Sequence, residues 1–238
     1  MIFNKKDKDS IRSMFNQIAP NYDLINKLMT FGLQDIIKAS AVKSTIKKLG
    51  KTPFSILDLC CGTGDISILF KKFCQNAEIT GIDFSEEMLK KAKRKAPNIN
   101  FIQGDITKIV MVRSRKNFDI CFIGFGLRNL PDIDDFLENI KSSLAEGGIL
   151  AILDLGKPAP IMKPYFFLHY NVFIPIIAKL FNKDISPYKY LTNSAKTYPS
   201  QKEILQKLRS HGFIETENRN YFFGIIAMQT AKYSRGGE

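Results

Sequence analysis

The sequence predicts an α/β chain built on a doubly wound, mostly parallel, seven-stranded sheet, and three observations carry that expectation. Short apolar runs alternate with helical patterns along most of the 238 residues, as strands joined by crossover helices do. The first run, 54–59, breaks into Cys60-Cys61-Gly62-Thr63-Gly64-Asp65, a glycine turn that opens a helix with Ile66, Leu69, Phe70 and Phe73 on one face. The second run, 77–82, ends on Asp83, about 20 residues beyond the last glycine, where such folds place a carboxylate against a ribose.

The remaining elements follow in order. Helical patterns at 8–18 and 33–49 precede the first strand and make an amino-terminal cap over 1–50. After Asp83 the stretch 85–96 is a helix by its ends. Ser85 caps it, Glu86 and Glu87 fill the first turn, lysines fill the last, and Pro97 stops it. A short strand at 100–103 leads to a loop holding Gly104-Asp105-Ile106. A basic connection over 113–116, a strong strand at 118–125 and a helix at 132–144 come next. Glu146-Gly147-Gly148 then turns the chain into a strand at 149–155.

The alternation stops at Pro158. The stretch 164–178 is uncharged and aromatic, flanked by Lys163 and Lys179 and interrupted by Pro175. A membrane-spanning helix needs about 20 apolar residues, so this stretch reads as a core-packed insertion or a lipophilic lid within 157–199. A helix at 200–210 and strands at 214–220 and 223–231 complete what the sequence presents as a single domain, 1–238.

The glycine loop selects its ligand by what it lacks. Ser67 stands where a dinucleotide fingerprint has its third glycine, and the Gly-Lys-Ser/Thr ending of a phosphate-cradling loop is absent. Asp65 at the mouth of the helix would repel a pyrophosphate and suit a ligand bearing an ammonium and a sulfonium. Together with Asp58 and Asp83 it points to S-adenosylmethionine rather than NAD. The four cysteines show no metal-ligand spacing, so no metal is expected, and they read as reduced thiols of a cytoplasmic protein. No apolar leader opens the chain. The net charge of +12 reads first as solvated helix faces, then as attraction to an anionic membrane surface, and last as nucleic-acid binding.

With these motifs in hand, the sequence resembles the menaquinone/ubiquinone biosynthesis C-methyltransferase family, within the class I S-adenosylmethionine-dependent methyltransferases of Rossmann-like fold. The resemblance runs from about Ile11 to Tyr233. It is carried by 14–23 (Met14 to Asp23) with Asn26, by Thr30-Phe31-Gly32, and by Phe125-Gly126-Leu127-Arg128-Asn129. Tyr188-Lys189-Tyr190-Leu191 with Ser194 and Pro199, and the late Gly212-Phe213, add to it. The chain departs from the family pattern at Gln34, Ile37, Gly124 and Gln229, and in Asp154-Leu155-Gly156, where Glu-Phe-Ser is usual.

The resemblance implies methylation of a ring carbon in a demethylated prenyl quinol, demethylmenaquinol to menaquinol, with S-adenosyl-L-methionine as methyl donor. Gly62, Thr63, Gly64, Asp83, Asp105 and Ile106 would hold the donor. Arg128, Asn129 and Tyr22 would be catalytic, with Arg128 stabilising a developing phenolate because a guanidinium does not act as a free base. The alternative for Arg128 is an ion pair with Asp132 or Asp134. The alternative for Tyr22 and Asp23 is helix capping and packing. His169 and His211 read as structural, although His169 could face the quinol. A lipid-soluble substrate implies peripheral contact with a membrane, and homodimerisation stays open. An RNA or protein methyltransferase is the rival, as is a non-catalytic cofactor-binding module. Base-nitrogen methylation calls for an Asn/Asp-Pro-Pro-Tyr/Phe loop and pyrimidine-carbon methylation for a Pro-Cys pair, and the chain has neither.

Overall fold

The computed structural model describes residues 8–107, 117–173, 176 and 186–236. The basic run 113–116 and the far end of the aromatic stretch at Pro175 and Lys179 lie outside the described residues. Seven strands form one sheet in the order β3-β2-β1-β4-β5-β7-β6. Strands β1 (Ser55–Leu59), β2 (Glu78–Asp83), β3 (Asn100–Gln103), β4 (Phe118–Gly124) and β5 (Leu144–Leu155) run parallel. Strand β7 (Ile226–Lys232) lies antiparallel between β5 and β6 (Ile214–Tyr221). The order reverses between β1 and β4, and open sheets of this kind form their ligand crevice outside the carboxyl ends of the strands at such a point.

Helices cover both faces, which is why β1 and the body of β4 are apolar on both sides. On one face α3 (Leu33–Leu49), α4 (Asp65–Phe73) and α5 (Glu86–Lys95) bury Ile37, Val42, Phe70 and Leu89 against Ile56, Ile120 and Phe122. On the other, α6 (Ile133–Ile140) and α9 (Gln201–Ser210) bury Phe136, Ile140 and Leu208 against Leu57, Cys121 and Ile123. Neighbouring strand residues thus serve opposite cores, and each fully buried large side chain contributes about 1.5–3 kcal/mol. Helices α1 (Lys8–Ile18) and α2 (Tyr22–Met29) precede α3, and α1 packs on α5. Helices α7 (Lys163–Leu168) and α8 (Ser186–Thr197) lie between β5 and α9.

The cap of α5 forms as its sequence requires, with Ser85 Oγ accepting from Met88 N at 3.2 Å. The helix expected over 132–144 is shorter. Asp132 is its N-cap, accepting from Asp134 N at 2.8 Å and Asp135 N at 3.2 Å, and α6 ends at Ile140. A single tight turn follows and β5 begins at Leu144. Leu144 pairs with Phe118 and Ile149 with Ile120, so the intervening Glu146-Gly147-Gly148 bulges out of register, with Gly147 left-handed (φ 72°). The bulge hides the start of the strand from a reading of the apolar run alone.

Asp58 sits fully buried on β1. Its Oδ2 accepts from Ser67 Oγ at 2.5 Å, and its Oδ1 has no hydrogen-bond partner among the described residues. Burial raises its pKa from 3.8 to about 7, against the opposing hydrogen bonds of Ser67. An unfolded chain releases that proton near 3.8 and the folded chain holds it to about 7, so stability falls as pH rises between the two. Asp58→Asn should therefore lose less stability than the parent between pH 5 and 7. The gap opens by about 1.4 kcal/mol for each pH step of one across that window. Thermal midpoints that fall equally in both proteins would show that Asp58 is ionised in the core.

Candidate active site

The glycine loop is shaped by its backbone. Cys60 (φ 54°), Gly62 (φ 54°) and Gly64 (φ 83°) all take left-handed conformations as β1 turns into α4. At Gly64 a Cβ would sit 2.9 Å from the Phe101 ring and 3.1 Å from Ala92 Cβ, so only glycine fits. Cys61 N donates to Ile82 O at 3.0 Å and ties the loop to β2. Asp83, at the end of β2, accepts from Gly62 N at 2.8 Å through Oδ2 and from Ser85 N at 2.8 Å through Oδ1. Burial raises its pKa to about 6, and the backbone N–H groups of Ser85, Gly62 and Phe84 hold it from rising further.

A cavity opens beside this carboxylate. Of the residues singled out from sequence, Tyr22, Gly62, Asp83, Asp105, Ile106 and Asn129 line it. Thr63, Gly64 and Arg128 do not. Lys8, Phe15, Cys60, Phe84, Met88 and Phe125 line it as well; Phe15, Cys60 and Phe125 belong to motifs read from the sequence, but none of the six was given a site role. Phe84 and Met88 carry a local signal, since they follow Asp83 and the Ser85 cap directly. Lys8 carries none. It reaches Asp105 Oδ2 at 2.9 Å across 97 residues, and it also bonds Thr107 Oγ1. Partial burial pushes the Asp105 carboxyl up, but Lys8 and Thr107 bring it below its ordinary value.

Thr63 serves the loop from outside the cavity. Its hydroxyl donates to Asp23 Oδ1 at 2.6 Å and accepts from Lys95 Nζ at 3.0 Å, linking α2, the loop and α5. Asp65 corrects the sequence reading. Its carboxylate pairs with Lys38 Nζ at 2.9 Å and Lys95 Nζ at 2.8 Å and does not line the cavity. Burial raises its pKa, but the two ammonium groups outweigh that and bring it to about 2. Its charge is already compensated, so the exclusion of a pyrophosphate does not rest on it.

The turn after β4 carries Arg128 and Asn129. Arg128 is buried (6% exposed) and its Nη1 pairs with Asp154 Oδ1 at 2.5 Å. Its backbone N also donates to Asp154 Oδ2, at 3.2 Å. The carboxylates near it in sequence are engaged elsewhere, Asp132 in capping α6 and Asp134 with Lys207 at 2.5 Å. The partner is instead the residue on the adjacent strand. Tyr190 Oη donates to Asn129 Oδ1 at 3.1 Å, so one amide atom is held from α8 while the residue faces the cavity. Burial raises the Tyr22 phenol above its usual pKa, while Lys38 and Arg128 act to lower it. A neutral phenol at the wall can donate to an oxygen that gains negative charge. His211 Nδ1 lies 2.8 Å from Lys207 O at the end of α9, away from the cavity. His169 stacks between Tyr165 and Phe173, with ring centroids 5.8 and 5.3 Å apart. Among the described residues no group of three His, Cys, Asp or Glu side chains is placed to share a metal ion.

Comparison with known proteins places this geometry. Residues 2–232 match the ubiE/COQ5 methyltransferase family. A demethylmenaquinone methyltransferase of Desulfitobacterium hafniense is 34% identical over 99% of this chain and 94% of its own length. The enzyme of that name from Lactococcus lactis is also 34% identical, over 99% and 96%. Among solved structures, the plantazolicin methyltransferase BpumL in complex with a pentazolic desmethylPZN analogue and SAH superposes with a TM-score of 0.69 at 17% identity. That alignment covers 94% of this chain and 96% of BpumL. A methyltransferase of Thermotoga maritima gives 0.64 at 15% identity over 92% and 98%, and both likenesses concern the fold. A profile match over nearly the whole length, with relatives above 30% identity, settles the lineage: this chain belongs to the ubiE/COQ5 methyltransferase family.

Proposed function

We propose that this chain transfers a methyl group from S-adenosyl-L-methionine to a ring carbon of a demethylated prenyl quinol, converting demethylmenaquinol to menaquinol. The observation that carries the reading is one cavity in which the Gly62–Asp83 wall meets Asn129 and Tyr22 at the carboxyl edge of the sheet. The residues fit the donor. Gly62 has open space where its Cβ would be, and Asp83, bonded by the backbone N–H groups of Gly62, Ser85 and Phe84, keeps acceptor capacity for a ribose hydroxyl. Phe84, Met88 and Ile106 supply apolar wall for a flat base beside Asp105.

When bound, S-adenosylmethionine supplies an electrophilic methyl group on a sulfonium. The protein must align the ring carbon with it and favour the phenolate that makes that carbon nucleophilic. Alignment is worth up to roughly 7–11 kcal/mol. Asn129, steadied by Tyr190, and the neutral Tyr22 phenol would donate to the quinol oxygen. Arg128, locked to Asp154, would fix the turn that presents Asn129. The aromatic stretch of α7 and the turn after it is proposed to give the prenyl tail apolar contact. A substrate of this kind resides in a membrane, so the protein would act at its surface. No described helix is long and apolar enough to cross one.

Three outcomes test this reading. A strain lacking the protein should accumulate the demethylated quinone and lose the methylated one, with rescue by the parent gene but not by Asp83→Ala. An unchanged quinone profile would end the proposal. In calorimetry Asp83→Ala should weaken donor binding by about 1.5–3 kcal/mol per lost charge-assisted hydrogen bond. The parent should also bind more weakly as pH falls through about 6, because the ribose hydroxyls need the ionised carboxylate. Affinity flat from pH 5 to 7.5 would remove Asp83 from the ribose. Arg128→Ala should lower stability by about 3–5 kcal/mol by leaving Asp154 buried and unpaired. Arg128→Met with Asp154→Leu should recover stability, yet turnover should stay about 100-fold down. Full turnover in that double variant would make the pair purely structural.

A further inference from the structure

A second cavity opens against the start of α3 and shares no lining residue with the site above. It is almost wholly apolar, and its rim comes from three separate parts of the chain. Phe31 contributes from the turn between α2 and α3, Tyr165 and His169 from the insertion, and Phe222 from the turn between β6 and β7. The Phe31 ring stacks on Phe173 at 5.2 Å and continues through His169 to Tyr165.

The backbone at this rim is unusual. Phe31 (φ 51°), Phe222 (φ 46°) and the adjoining Phe223 (φ 53°) are all left-handed, a conformation disfavoured for bulky residues. They are also 64%, 44% and 69% exposed. Phe31 is supported by its stack on Phe173, but the more exposed Phe223 gains little burial for its strained backbone, and such strain clusters at functional sites. Phe167 and Leu168 are exposed beside them at 68% and 59%.

Charge identifies the partner. From the rim, Ile36 on α3 leads into an open groove lined by Lys43, Lys47 and Arg219, and exposed Lys27 precedes Gly32 at the same corner. Among the described residues, acids near this groove include Asp35, which is exposed, and Glu217, whose carboxylate is held by Lys48 at 2.6 Å. We infer that the rim of Phe31, Phe222 and Phe223 docks on an anionic phospholipid bilayer. The rings enter the headgroup–acyl boundary and the groove of Lys43, Lys47 and Arg219 lies against the headgroups. A second copy of the chain suits the face less well, because self-association would bring like-charged grooves of a +12 chain together. The inference takes its purpose from the prenyl-quinol reading, but the surface is testable without substrate.

The test is co-sedimentation with vesicles of mixed phosphatidylglycerol and phosphatidylcholine, and with phosphatidylcholine alone. The parent should partition onto the anionic vesicles and weaken as salt rises. Phe31→Gly with Phe222→Gly and Phe223→Gly accepts the left-handed backbone without strain, so its thermal midpoint should hold. Its partition should fall by at least about tenfold, which corresponds to 1.4 kcal/mol. Lys43→Glu with Lys47→Glu should lose binding to the anionic vesicles only. Unchanged partition of the glycine variant would overturn the inference. So would a parent dimer that the glycine variant splits while neither binds vesicles. Turnover of a tail-less demethylated quinol reads the functional proposal separately. Its absence in the parent, with vesicle binding intact, would sink the substrate and leave the surface standing.

Discussion

The active site depends on what one carboxylate does at the end of β2. Asp83 accepts from the backbone of Gly62 on one side and of Ser85 on the other, so it joins the glycine loop after β1 to the start of α5. Both segments gain an acceptor from it, since the loop turns through left-handed residues and the cap leaves backbone donors to be satisfied. Taking the carboxylate out of water raises its pKa to about 6. The anion is thus held at a cost that fresh hydrogen bonds from a ligand would relieve. Structure and affinity draw on the same group.

A second set of charges ties the amino-terminal helices to that loop. Asp23 of α2 meets Thr63 and Lys95, and Lys95 meets Asp65, which Lys38 of α3 completes. Lys8 of α1 closes on Asp105 at the far wall. These contacts tie three amino-terminal helices to the loop and to the Asp105 wall. Partly exposed pairs of this kind contribute little to stability one by one; their effect is to fix the position of Tyr22 and Phe15 over the cavity.

Much of this was legible in the chain. The apolar runs marked the strands, Gly62 and Gly64 marked the turn, and the spacing to Asp83 marked the carboxylate that ends β2 and lines the cavity. What stayed hidden depends on strand neighbours and long returns. Arg128 finds Asp154 because β4 lies beside β5, whereas sequence proximity suggested Asp132 and Asp134. Asp65 looked like an open carboxylate because Lys38 and Lys95 lie far from it along the chain and adjoin it only when α3 and α5 pack. Phe223 reads as the start of a strand, since no residue pattern announces a left-handed aromatic turn.

The central claim is that the cavity beside Asp83 carries methyl to a quinol ring. The most direct measurement incubates the purified protein with S-adenosylmethionine labelled at its methyl group, reduced demethylmenaquinol and bulk RNA together, and locates the label by mass spectrometry. The account predicts label on the ring carbon of the quinol and none in the RNA. Label in RNA, or a quinol recovered without it while the donor is consumed, would contradict the account.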